Sequence, residues 1–342
     1  MERRQLHRLS ITLFVLLGIA LVALAIADML IGTESIPVSE IVSSLWGDAS
    51  EEHATIIYKL RMPKVIVAIV AGMALSASGL LMQTLFRNPL AGPYVLGINS
   101  GASFAVALFT LAVPMMTAEM SWLYNIGVTG VALIGSAAIL FMVMALSRRM
   151  KSISVILILG MMLGSAISAV VGILQYMGTE ESLKAFMVWT MGSLGSVSRE
   201  QLLIMAPVMI LGLALSVSLI KPLNAMLLGE NYASTMGINI RRTRLMISAI
   251  TVMLAGTVTA FCGPIGFIGL AVPHIARMTF READHRVMMP ASMLLGALIM
   301  LFCDVASQLP ANDMTLPINT VTALIGIPVV VVVIVRNHKS FS

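Results

Sequence analysis

Apolar residues run along this chain in long blocks, interrupted by short clusters of charge, glycine and proline. A membrane-crossing helix needs about 20 such residues. Ten blocks of roughly that size can be drawn, over 10–31, 63–86, 94–115, 124–146, 153–174, 201–220, 245–262, 265–279, 287–309 and 318–335. The first block follows MERRQLHR and has no small-x-small cleavage pattern before Asp28, so it reads as a retained span. The pattern predicts an all-α integral membrane protein of about ten transmembrane helices, forming a single transmembrane domain over 1–342.

The segment 221–244, KPLNAMLLGENYASTMGINIRRTR, departs from this pattern. Lys221, Arg241, Arg242 and Arg244 would be costly at a bilayer centre. Leu223, Met226, Leu227, Ala233, Met236 and Ile238 nevertheless recur at helical steps, predicting two short helices broken near Gly229 and Gly237. Such a unit is either a handle for another protein or an ordinary connecting loop.

Composition and charge sharpen the picture. Charged residues make up 11% of the chain and apolar residues 58%, with mean hydropathy +0.98, far from a soluble domain. With the N-terminus inside, sixteen of the 21 basic residues but only four of the 16 acids fall on inner segments. The inner side then carries +12 and the outer side −7, which argues for an even number of spans and both termini cytoplasmic. The basic residues are divided among six short segments, so topology explains them and nucleic-acid binding is set aside. Membrane lipid is the expected surrounding.

Several local features carry candidate roles. LRMPK puts Arg61 and Lys64 at the start of the second span, as interfacial anchors or as a cationic pad for an acidic partner. Pro89 and Pro93, with Gly92, Gly97 and Gly101, forbid a regular helix after the second span, giving either a packing hinge or a gate. Gly160, Gly164, Ser168 and Gly172 line one face of the fifth span, as a helix contact or along a path. Residues 179–197 suggest a short amphipathic helix on the outer surface, and Pro273 is expected to break the eighth span. Chemistry is sparse. There is no phosphate-binding loop, no catalytic constellation, no Cys/His metal spacing and no cofactor motif. No charged residue falls at a predicted midplane, so no ion-coupled drive is visible. The chain is expected to be non-enzymatic, with its work supplied elsewhere.

LRMPK, SGLLMQTLFRNPLAGPYVLGINSGAS, LLGENYASTMGI, GPIGFIGLAVPHIAR with the following DHR, and LPINTVTALIGIPV resemble the FecCD-type permeases. These are membrane subunits of binding-protein-dependent ABC importers for ferric siderophores, haem and cobalamin. The resemblance spans about 60–335 and implies a multi-pass protein of the bacterial cytoplasmic (inner) membrane. It implies a second permease subunit, favouring a homodimer, with the path between the two copies. Two cytoplasmic ATP-binding subunits and an extracytoplasmic substrate-binding protein complete the assembly. Leu227, Gly229, Glu230 and Gly237 match the ATPase-coupling segment, and Arg61 and Lys64 the binding-protein docking positions. Asn88 and Leu90 match one gate, and Ser152 to Ser154 lie in the loop of another. The fifth and tenth spans, with Gly164 and Ser168, would face the path. Two residues depart from the family pattern: Gln308 stands where a docking arginine is common, and Asn319 where LP-x-G is usual. The motifs do not choose the cargo; because iron importers are the commoner members of the family, the resemblance implies an iron chelate or haem, with cobalamin as the alternative.

Overall fold

The computed structural model describes residues 2–32, 36–37, 39–40, 43, 51–112, 121–147, 153–309 and 315–338, and every regular element among them is helical. In chain order these are α1 (Glu2–Leu30), α2 (Glu51–Phe86), α3 (Ile98–Ala112), α4 (Ser121–Ser147), α5 (Ile153–Met177), α6 (Glu180–Met191) and α7 (Arg199–Ser218). Then follow α8 (Ile220–Leu227), α9 (Glu230–Thr235), α10 (Ile240–Cys262), α11 (Ile268–Phe280), α12 (His285–Gln308) and α13 (Ile318–His338).

The bundle is built around α2, which packs against α12, α11, α7 and α10. In its most apolar stretch 78% of residues are buried, against 11% in α5 and none in α1, so α2 is the axis and the other two form the rim. Small residues make this possible, since helices in lipid associate through close packing rather than through a hydrophobic drive. A side chain at Gly72 would strike the backbone of Gly296 on α12, and one at Gly79 would strike the carbonyl of Gly269 on α11. Pro273 removes the amide that would have bonded the Gly269 carbonyl within α11. That carbonyl lies against Gly79 instead, where only a residue without Cβ fits. The expected break at Pro273 is therefore a correction: α11 runs on to Phe280 and ends with Arg281 in the left-handed region at φ 52°.

Among the described residues, six helices are long and apolar enough to cross a bilayer: Ser10–Leu30, Glu51–Phe86, Ile158–Met177, Arg199–Ser218, Ile240–Cys262 and His285–Gln308. Shorter apolar helices occupy Ile98–Leu111, Gly127–Val143 and Ile318–Val333. The eighth expected span is only 13 residues of helix. Boundaries differ where prolines intervene. The third span starts at Ile98 rather than 94, because Pro93–Leu96 forms a 3-10 turn closed by Gly97 at φ 79°. The second helix starts at Glu51, twelve residues before the expected 63, and a π turn at Ile57–Arg61 leads into Pro63. Arg61 and Lys64 thus sit on a helix, not at its mouth. The seventh expected span likewise begins earlier, with α10 at Ile240, so Arg241, Arg242 and Arg244 belong to its first turns.

Candidate functional site

Segment 221–244 folds as its periodicity predicts. α8 and α9 are separated by Gly229 at φ 123°, and α9 is separated from α10 by Gly237 at φ 82°. These backbone conformations strain any side chain-bearing residue, which accounts for both glycines. Leu223, Met226 and Ala233 face the core, while Leu227, Leu228, Tyr232 and Met236 stand exposed. The elbow is braced. Glu230 opens α9, and both of its oxygens accept from Arg244 Nη2 at 2.6 Å. Asn239 caps α10 by accepting from the Arg242 amide at 2.9 Å. The result is a fixed apolar knuckle beside a basic helix start.

A second feature lies at the same end of α2. Arg87 terminates the helix in the left-handed region at φ 47°. Asn88 Oδ1 then accepts from the Leu90 amide at 2.9 Å, forming a compact turn that leaves Leu90 exposed. This turn is tied on two sides: Arg87 Nη2 donates to the Met226 carbonyl of α8 at 3.1 Å, and His274 Nε2 of α11 donates to the Pro89 carbonyl at 2.7 Å. One turn earlier in α2, Gln83 donates to the Leu270 carbonyl and accepts from Arg277 Nη1 at 2.7 Å. Thr84 Oγ1 lies 2.8 Å from His285 Nε2, and His285 Nδ1 lies 2.8 Å from Asn224 Oδ1 on α8. Asn224 Nδ2 donates to Asp284 at 2.6 Å. Partial burial pushes the Asp284 carboxyl up, but hydrogen bonds from Arg286 and Asn224 and the Arg286 charge outweigh it and leave it below the usual carboxylate range. His274 and His285 fall in the family motifs VPHIAR and DHR, but the contacts of His274 with Pro89 and of His285 with Thr84 and Asn224 have no local signature.

In the first half of α2, Arg61 and Lys64 occupy a built polar cluster. Arg61 is buried and Nη1 donates to the Met29 and Leu30 carbonyls at 2.6 and 3.3 Å, closing the last turn of α1. Lys64 Nζ pairs with Asp304 at 2.8 Å and with Asp28 at 3.5 Å. Gln308 donates to Asp28 at 2.7 Å and to Asp304 at 3.2 Å. Gln308 therefore turns into the cluster, and Asn319 accepts from the Gly266 amide at 2.9 Å. Neither cation forms an open pad.

The sequence model of the FecCD transport family matches residues 19–336. The chain belongs to this family. The hemin transport system permease protein HmuU of Yersinia pestis is 34% identical over 331 residues, covering 96% of each chain. The vitamin B12 import system permease protein BtuC of Klebsiella pneumoniae is 34% identical over 338 residues, covering 98% of this chain and 95% of that one. A solved ABC transporter in an inward-facing conformation superposes with a TM-score of 0.83 at 28% identity, over 95% of this chain and 99% of that chain. This protein is accordingly a multi-pass membrane permease of the ABC importer class, in which ATP hydrolysis belongs to a separate subunit.

In this FecCD permease the small-residue stripe of α5 divides in two. Gly160 is buried, and a side chain at Gly164 would meet Ser100 at 3.1 Å on α3. Ser168 and Gly172 are exposed, and nothing lies within 4 Å of a side chain built at Gly172. Around them Met161, Met162, Val170, Ile173, Tyr176 and Met177 are also exposed. Ser152 lies outside the described residues, as does the side chain of Ser154.

Proposed function

We propose that two copies of this chain form the translocation path of an ABC importer for haem or another iron chelate, driven by two ATP-binding subunits seated on the 221–244 elbow. The braced knuckle carries this reading. Leu227, Leu228, Tyr232 and Met236 expose apolar surface on short helices that Gly229, Gly237 and the Glu230–Arg244 pair hold in one shape. A rigid apolar projection beside basic side chains suits a socket on another protein and suits transmission of force. Work then passes to the turn carrying Asn88 and Leu90, which acts as a gate. The charge bias supports an even number of crossings with both termini cytoplasmic, and the apolar blocks put that number at ten within one domain over 1–342. The uncovered half of α5, which begins with Ser168 and has Gly164 at its edge, and the exposed face of α13 (Leu324, Ile327, Val331) supply the surface for the second copy and the path. The loop ending at Ser152 and Ser154 closes the same path. At the outer end, Arg61 and Lys64 shape the face for an acidic binding protein.

The likeness to HmuU supports haem, and equal identity to BtuC keeps cobalamin as a second reading. Vesicles containing the permease, its ATPase subunits and binding protein are expected to accumulate haemin when ATP is supplied, and to accumulate cyanocobalamin poorly. Cyanocobalamin uptake with no haemin uptake would reverse the cargo assignment. Uptake of either without an ATPase subunit would overturn the importer reading. Cysteines introduced within 32–62 are expected to react with impermeant thiol reagents from outside, and those near Gly229 only after the inner face is opened.

A further inference from the structure

We propose that Asn224, His285 and Thr84 form the link through which movement of α8 reaches the 87–91 turn, with His285 as the positioning residue; this rests on the coupling and gate roles given above. The link is continuous. Asn224 lies on α8, between the buried anchors Leu223 and Met226. Its Oδ1 accepts from the His285 backbone amide at 2.8 Å as well as from Nδ1 at 2.8 Å, so the ring is fixed at its root and its edge. With Nδ1 donating, the neutral ring presents Nε2 as an acceptor, and the Thr84 hydroxyl 2.8 Å away shares its one proton between Nε2 and the Leu80 carbonyl at 2.9 Å. Thr84 sits in the last turn of α2, three residues before the chain reverses at Arg87.

Burial makes this contact stiff. Thr84 is 4% and His285 2% exposed, so water does not offer an exchange partner. Arg87 adds a parallel strand to the same link through the Met226 carbonyl. The far side of the turn is anchored differently, by His274 of α11 at the Pro89 carbonyl. A shift of α8 relative to α11 therefore acts on the two sides of one five-residue turn. Packing of α8 alone would not require the path to end on the residues that lead into the turn.

The test uses Leu90→Cys, with Cys262 and Cys303 replaced by alanine, in the assembled complex with its ATPase subunits. The rate of maleimide labelling is measured with and without ATP plus vanadate. In this parent the nucleotide is expected to change labelling about tenfold, within the usual span of coupling between sites. Thr84→Val should retain the ATPase on copurification and hydrolyse ATP, while the labelling change falls below about twofold. Thr84→Ser, which keeps the hydroxyl, should restore at least half of the response. Arg87→Met, a change at an exposed side chain, should give an intermediate response even if Thr84→Val fails to fold. A parent-like response in Thr84→Val or, where that variant cannot be purified, in Arg87→Met would overturn the link. So would loss of the ATPase from Thr84→Val, which would make the contact a docking element. Gly237→Val in the same background separates the two claims: an unchanged response there removes the coupling role of the elbow, whereas its loss beside an intact Thr84→Val response removes only the link.

Discussion

In the first half of α2, Lys64 is wedged between Asp28 and Asp304; at its last turn, Thr84 meets His285 and His285 meets Asn224 through neutral groups, and the Asp284 carboxylate enters only on the far side of Asn224. Both clusters tie three helices together, and both are largely buried. Their physics differs. Charges withdrawn from water cannot give up a partner without a large desolvation cost. Neutral hydrogen bonds re-pair for less. An ionic clamp therefore suits the end that must keep α1, α2 and α12 in one arrangement, and a neutral chain suits the end that must move.

The largest effect should follow from breaking the clamp. Lys64→Met leaves Asp28 and Asp304 facing each other without that cation and should cost about 3–5 kcal/mol of stability, read as a fall in detergent melting temperature. Combining it with Asp28→Asn and Asp304→Asn should recover most of the loss. A single Lys64→Met that melts like the parent would return Lys64 to the surface. Reversing both Arg61 and Lys64 to glutamate should also weaken binding-protein association, more at low salt than at high. The stability measurement shows how much of that loss is structural.

Asn224→Ala at the moving end should cost less, about 1–3 kcal/mol, since it strands the His285 amide and ring N–H. A loss matching that of Lys64→Met would erase the distinction between the ends. Smallest of all should be Glu230→Gln. The pair with Arg244 is about a third exposed on each side, and partly exposed ion pairs contribute about 0.2–1 kcal/mol. Here ATPase retention, measured by copurification, should suffer more than the melting temperature.

Much of the fold was legible because local chemistry determined it. Gly229 and Gly237 punctuate a helical period, and both sit at positive φ with a short helix between them. The apolar blocks located the long helices, and Pro93 with Gly97 located the interruption before α3. Contacts between distant residues were not legible. Asp28, Lys64 and Asp304 lie far apart in the sequence, 280 positions separate Asp28 from Gln308, and nothing local pairs them. The misreading of Pro273 has the same origin, since the relief for its missing hydrogen bond lies in α11 packing on Gly79 of α2. Cargo is least legible, because the exposed face of α5 carries methionine, small residues and aliphatics rather than groups specific to one chelate.

The elbow as the entry point for the work of ATP hydrolysis is the central claim, and Gly237→Val tests it most directly. No atom lies within 4 Å of a side chain built there, so the change acts on the backbone at φ 82° rather than through a clash. The decisive measurement is ATP-driven haemin uptake in vesicles, paired with copurification of the ATPase in detergent. The mutant is expected to insert normally and then either lose the ATPase or hold it with uptake reduced at least about tenfold. Normal copurification together with normal uptake would contradict the claim and leave 221–244 as a connecting loop.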